Sequence, residues 1–358
     1  MPPDGAGETG APYVPAMKAA YFEAHGGPER ILVGELPDPV PGEGEVLIEV
    51  KAAALNHLDL WTRRGLPGLE LEMPHVGGSD MAGVVASVGP EVEGWRPGQP
   101  VAVNPGLWCG ECEWCAAGEE PLCRSYRIIG EHVPGGFAEL AVVPARNLFA
   151  LPDGFPFEIA AAAPLVYQTA WRALMTRAGL KAGETVLVTG ASGGVSTAAI
   201  QIAVRAGARV LAVTSGPENV ERVRALRAHV VIDRLDGDFS KRVWTETGKR
   251  GVDVVIDGVG EAVWPACFKS LAPAGRMVVY GATTGPDGCI DIRRLFWKQA
   301  TIMGSTMAGR ADFERVMELV VRGELAPVVD DVWPLDRARD AYERLERGDV
   351  FGKLVLVP

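Results

Sequence analysis

The segment Val186-Leu-Val-Thr-Gly-Ala-Ser-Gly-Gly-Val195 limits what this chain can fold into more than any other. An apolar strand runs into Gly190, Gly193 and Gly194, and a stretch with helical spacing, Val195–Ala206, follows at once. Glycines let a backbone turn tightly and approach a phosphate, whose charge then meets the free N–H groups and dipole of a helix start. On its own such a turn is also a common way to join a strand to a helix. Here it opens a longer alternation, since Thr185–Thr189, Arg209–Thr214, Val230–Asp233, Val252–Asp257, Met277–Gly281 and Thr301–Gly304 all read as strands with helical or loop spacers. Six strands in that rhythm predict an α/β domain with a parallel, doubly wound sheet.

The flanks read differently. From Met17 to about Ala150 the pattern is mainly β, with strands at Lys18–Phe22, Val46–Ala53, Met81–Val88 and Ala138–Val143 and a short helix from near Asn56 to Gly65. After Met307 come two helices, Arg310–Arg322 and Asp336–Arg347, and a strand, Lys353–Val357, expected to fold back onto the first domain. The expected organisation is a tail over 1–16, a catalytic domain over 17–159, a nucleotide domain over 160–305 and the rest of the catalytic domain over 306–358. The 358 residues are enough for two buried cores. The Gly- and Pro-rich start lacks the features of a signal peptide, and no apolar run nears the roughly 20 residues of a membrane span, so the expected location is the cytoplasm. A net charge of -11, from 46 acidic and 35 basic residues, argues against a nucleic-acid partner.

A dinucleotide is the expected occupant of the turn, with Gly190, Ser192, Gly193, Gly194 and Val195 around its phosphates. An NAD site usually carries Asp or Glu at the end of the next strand, for the ribose 2′-OH. That strand ends Val213-Thr-Ser-Gly216, with no carboxylate. Thr214 and Ser215 could donate to a 2′-phosphate and Arg222 or Arg234 could supply charge, so NADP(H) is favoured over NAD(H). Both arginines could equally be surface residues.

Four of the six cysteines form Cys109-x2-Cys112-x2-Cys115-x7-Cys123, within the lobe 105–125. Four thiolates fill a tetrahedral zinc shell and leave no open position, which predicts one structural zinc per chain. Cys267 and Cys289 stand alone.

This cysteine spacing, the Gly-rich turn and the terminal Phe351-Gly-Lys-Leu-Val-Leu356 together resemble the medium-chain dehydrogenase/reductase superfamily, over about Met17 to Pro358. The resemblance implies a GroES-like catalytic domain, a Rossmann domain, a cleft between them for a small-molecule substrate, and a homodimer or homotetramer. In the zinc alcohol dehydrogenases of that superfamily two motifs supply the catalytic metal. Here they read Leu55-Asn-His-Leu-Asp59 and Gly77-Gly-Ser-Asp80, so Asn56 and Ser79 replace a cysteine and a histidine. The third ligand falls near Pro164 or Leu165, which cannot bind metal. The usual catalytic zinc is therefore expected to be absent, as in the quinone oxidoreductase branch that these segments also resemble. Asn56 and then Ser79 are the candidate hydrogen-bond donors to a developing oxyanion, with Asp59 or Asp80 orienting them and Trp61 a possible pocket wall. Thr169 is expected near the nicotinamide, and Gly258, Gly281 and Lys353 join the cofactor-binding candidates. The expected reaction is NAD(P)H-dependent reduction of a quinone, enone or carbonyl. One rival is an alcohol dehydrogenase with an unorthodox zinc held by His57, His132 and neighbouring acids such as Glu131, Asp59 or Asp80. Another is a non-catalytic NADPH-binding sensor or scaffold.

Overall fold

A computed structural model describes residues 16–358; apart from Ala16, the expected tail lies outside the described residues. The nucleotide half is one sheet of six parallel strands. Their spatial order is Val230–Asp233, Arg209–Thr214, Thr185–Val188, Val252–Asp257, Leu271–Val279, Thr301–Gly304. The chain starts in the middle, runs outward to one side, then crosses to the other. The crevice at the carboxyl ends of such strands, where the order reverses, is where ligands of this architecture bind, and the Gly-rich turn lies there. Val186, Leu187, Val188, Val210, Leu211 and Ala212 are fully buried because helices cover both faces. The fifth strand begins six residues earlier than its sequence pattern suggests, past a register irregularity opposite Val252–Val254.

The GroES-like half centres on the long strand Glu45–Ala54. It pairs with Asp80–Val88, with Leu140–Pro144 and, through Ala53 and Ala54, with Lys353–Val357. Val329–Pro334 lies parallel to that last strand. The C-terminal segment thus completes a sheet begun some three hundred residues earlier.

Two short helices, Phe157–Ala161 and Pro164–Trp171, join the halves. Ala160, Ala161, Ala162 and Ala163 are wholly buried, in one core cluster with Ala52, Ala54, Ala82 and Ala102 of the β half and Val186 and Ala198 of the nucleotide half. Small side chains let these backbones pack closely, so one core runs through the junction. Residues 164–170 are all buried. With no polar face there is no 3.6-residue pattern to read, and only Pro164 at the first helical position marks the start.

Gly352 closes the fold at a tight point. Its φ is +88°, its N–H donates to Ser192 O (2.8 Å), and an added Cβ would lie 2.3 Å from Val328 O. Gly352→Ala is expected to cost about 1–3 kcal/mol, read as a lower midpoint in equilibrium urea unfolding; an unchanged midpoint would show that this turn relaxes freely.

Candidate active site

The Gly-rich turn has the geometry its sequence suggests. Gly190 has φ +54°, and Gly193 stands before the helix Gly194–Arg205 with no side chain capping it. The first intrahelical bond is Thr197 N to Gly193 O; Gly194 N–H faces Gly352 O across an isolated bridge, so the N–H groups of Val195 and Ser196 are left for an anion. An added Cβ at Gly194 would meet Val166 and Lys353, each at 3.0 Å, which keeps this helix start narrow and close to the other half. Gly258 and Gly281 lie against each other at the ends of adjacent strands. The hydroxyls of Thr169 and Thr214 are buried without a partner. Open N–H groups, glycine approach and unpartnered hydroxyls fit a nicotinamide dinucleotide along this crevice.

At the end of the Arg209–Thr214 strand, Arg234 Nε donates to Ser215 Oγ at 2.5 Å. Arg222 does not join them. It pairs with Asp330 (2.6 Å) and stacks 4.2 Å over Phe351, so its charge is already matched. One acid that reading this strand alone missed is Asp233, on the neighbouring strand, whose carboxylate accepts Gly216 N–H at 3.1 and 3.2 Å.

Across the cleft a buried polar set ties three segments together. Asn56 precedes the helix His57–Arg64; its N–H donates to Asp59 Oδ2 (2.7 Å), and Gly78 N–H donates to Asp59 Oδ1 (3.0 Å). Asn56 Nδ2 donates to Asp80 Oδ2 (2.9 Å), while its Oδ1 accepts from Lys353 Nζ (2.5 Å). Lys353 Nζ also reaches Asp80 Oδ2 (2.9 Å), and Asp80 Oδ1 accepts Leu165 N–H (2.7 Å). Asp80 is 0% exposed and Lys353 3%.

Two expectations change here. Asn56 is not a free donor: one amide hydrogen goes to Asp80 and the other faces Ala54 O at 3.4 Å. The free group is Ser79, whose Oγ is buried without a partner. Lys353, expected on the cofactor, directs its Nζ to Asn56 and Asp80, while its stem and Gly352 beside it lie against the turn. Trp61 lies near His57, with ring centres 6.5 Å apart. Burial pushes the Asp59 carboxyl up to about 7, against the pull of the two N–H groups it accepts.

The set does not suit a catalytic zinc. A carboxamide and a hydroxyl are poor zinc donors beside thiolate and imidazole, and an ammonium sits where a dication would need anions. The unorthodox site is not assembled either. Among the described residues, the four cysteines form the only group of three or more His, Cys, Asp or Glu side chains whose ligand atoms lie close enough to share an ion. His132 Nδ1 accepts Ile128 N–H (3.1 Å), and the oxygens of Asp59 and Asp80 are taken as described.

The cysteine lobe fits zinc well. The Sγ atoms of Cys109, Cys112, Cys115 and Cys123 all lie within 4.8 Å of one another. The N–H groups of Glu111 and Cys112 pull the Cys109 thiol down to about 6, while desolvation pushes its neighbour Cys115 up to about 12, so the four thiols share charge poorly without a cation among them. Arg146 pins the lobe to the body by bonding Trp108 O and stacking 5.0 Å from the Trp108 ring. The ion would supply cross-linking here, not chemistry. Cys267 is a core residue and Cys289 an exposed one.

Comparison with known proteins gives the same outline. Residues 42–153 match the alcohol dehydrogenase GroES-like domain family, and residues 194–322 match the zinc-binding dehydrogenase family. An acryloyl-coenzyme A reductase from Metallosphaera sedula is 35% identical, covering 95% of this chain and 99% of that protein. A human quinone oxidoreductase is 28% identical, over 95% and 98%. The crystal structure of an NAD-dependent alcohol dehydrogenase superposes with a TM-score of 0.92 at 44% identity, covering 96% of this chain and all of that one. No described helix is long and apolar enough to cross a membrane.

Two outcomes are expected. Elemental analysis should find about one zinc per chain, falling toward none in Cys112→Ser, whose lobe should be cut first by protease; a stable, zinc-free variant would remove the staple. Lys353→Met leaves Asp80 buried and unpaired and should lower unfolding stability by about 3–5 kcal/mol; a loss under about 1 kcal/mol would mean that water reaches Asp80.

Proposed function

The chain belongs to the medium-chain dehydrogenase/reductase superfamily, and we propose that it uses NADPH to reduce a conjugated carbonyl (an enone or enoyl thioester) or a quinone, with no catalytic metal. The observation that carries this reading is that Asn56 and Ser79, at the positions where the resemblance puts metal ligands, are a carboxamide and a hydroxyl, and that Asn56 is bonded to the ammonium of Lys353. The acryloyl-coenzyme A reductase and quinone oxidoreductase relatives, named for acceptors of this kind, support it.

When bound, the dinucleotide supplies hydride at its nicotinamide C4. The chain's residues then have three tasks. Val195 and Ser196, at the start of the helix, hold the phosphates by backbone N–H groups, and Thr169 offers its unpartnered hydroxyl at the nicotinamide end. Ser79 donates to the acceptor oxygen as negative charge grows there, with the Lys353 ammonium behind it; donors fixed in place before the reaction need no reorganisation during it. Asn56 and Asp80 hold that ammonium still. Ser215 with Arg234 supports a 2′-phosphate, against the pull of Asp233. A cytoplasmic location is proposed as well, since six cysteines without a disulfide suit a reducing compartment. A homodimer or homotetramer is proposed too, with the sheet's last strand, Thr301–Gly304, and the exposed Trp297 beside it as the contact.

The test follows NADPH and NADH oxidation with a panel of enones, enoyl thioesters, quinones and aldehydes, and alcohol oxidation with and without added zinc. NADPH-driven reduction of conjugated acceptors is expected. Ser79→Ala should cut kcat by about 10²–10³ and leave NADPH binding nearly unchanged. Arg234→Ala should weaken NADPH about tenfold, equivalent to about 1.4 kcal/mol, and spare NADH. Alcohol oxidation that appears only with added zinc would sink the metal-free reading, and tight NADPH binding without turnover would point to a sensor.

A further inference from the structure

Hydride addition to a conjugated carbonyl leaves a second need, a proton for the carbon beside the carbonyl. The loop that follows the strand Arg127–Ile128 carries a buried carboxyl, Glu131, beside the segment of Ser79. Gly130, at φ +81°, lies so close to the Gly77–Ser79 turn that an added Cβ would sit 2.6 Å from Gly78 C and 2.7 Å from Ser79 N. Gly135 is as tight, at 2.4 Å from Gly78 O. The loop therefore rests on the segment that presents Ser79 and donates to Asp59. Glu131 leaves it next to Gly130 and is only 7% exposed.

The surroundings of Glu131 favour its acid form. His132 Nδ1 lies 3.3 Å from Glu131 Oε2. That nitrogen accepts Ile128 N–H, so it carries no proton of its own. It therefore has no N–H to donate to a Glu131 carboxylate, and nothing at His132 Nδ1 stabilises the anion. Asp59, on the helix across the turn, adds negative charge. Burial first, and Asp59 second, push Glu131 up to about 7. The other titratable groups around it are Tyr126, raised by burial and by Glu120, Arg172 opposing; His132, lowered by burial and by Arg127; and His75, whose Nε2 meets Gly130 O at 3.1 Å.

We infer that Glu131 is the acid that protonates the α-carbon of the reduced acceptor, an assignment that rests on the reading proposed above. Hydride bonds to the β-carbon, and the electron pair of the C=C bond moves to give an enolate whose oxygen is held by Ser79. The Glu131 O–H bond then breaks, its proton bonds to the α-carbon, and the carbonyl re-forms. The acceptor gains a hydride and a proton, two electrons and two protons in all, the dinucleotide is oxidised, and the Glu131 carboxylate takes a new proton from water when product leaves.

The test uses the full-length enzyme with NADPH and an enone. Wild-type kcat should be level below pH 7 and fall about tenfold per unit above it, as a donor must be protonated. Glu131→Gln, nearly the same shape, should lose about 10²–10⁴ in kcat together with that limb, at unchanged NADPH affinity; Glu131→Asp should recover part of the rate. Independently of turnover, the infrared difference between wild type and Glu131→Gln at pH 6 should contain a carboxylic-acid C=O band. A missing band, or a Glu131→Gln enzyme with wild-type kcat and pH limb, overturns Glu131 alone and leaves the reaction standing. An enzyme that reduces no conjugated acceptor overturns the reaction, and this proton with it.

Discussion

The buried pair of Asp80 and Lys353 is the interaction on which the rest of the molecule turns. Its carboxylate comes from a strand of the first domain and its ammonium from the last strand of the chain. Two uncompensated charges in this core would each cost several kcal/mol, so these two strands cannot separate cheaply. Asp80 also accepts the N–H of Leu165, at the start of the helix that leads into the nucleotide domain, and Gly352 beside Lys353 donates to Ser192 in the phosphate turn. One pair therefore fixes the distance between the turn and the wall that carries Asn56 and Ser79. A site that must hold a hydride donor and acceptor within a few tenths of an ångström gains from such a tie. The alanine-lined junction makes it possible, since larger side chains at Ala160 to Ala163 would hold the two halves apart.

Asn56 shows why position and role must be separated. Its replacement of a metal-ligand cysteine is visible in the sequence, and so is the consequence that zinc would be poorly held. What its amide does instead depends on Lys353, 297 residues away, and no local pattern reports on that. Ser79 gained importance for the same reason: a hydroxyl matters when nothing else satisfies it, and that can be judged only in three dimensions. Arg222 and Arg234 make the converse point. Both are near the Arg209–Thr214 strand in sequence, yet Asp330 claims one and leaves the other beside Ser215.

The parts legible in the sequence are those whose physics is local or periodic. The central parallel strands are buried on both faces, so they read as short apolar runs, and the four cysteines show their spacing directly in the sequence. The helix Pro164–Trp171 was illegible because complete burial erases periodicity, and the Leu271–Val279 strand was read short because an irregular register interrupts its pattern. Glu131 was noticed only as a possible metal ligand. A carboxyl and an imidazole side by side suggest an ion until the hydrogen bond to Ile128 shows which atom of the ring is an acceptor.

The form of the site also bears on which reaction suits it. Oxidising an alcohol concentrates charge on one alkoxide oxygen, and a metal dication meets that demand directly. Reducing a conjugated acceptor spreads the charge over oxygen and carbon, and the reaction finishes only when a proton reaches the carbon. A fixed ammonium and a hydroxyl at the oxygen, with a neutral carboxylic acid nearby, divide those two tasks between separate groups. A dication at the same place would stabilise the oxygen end but would also hold the neighbouring carboxyl ionised, removing the proton the carbon needs. On this reading the exchange of metal ligands for Asn56 and Ser79, and the protonated Glu131, are two sides of one adaptation.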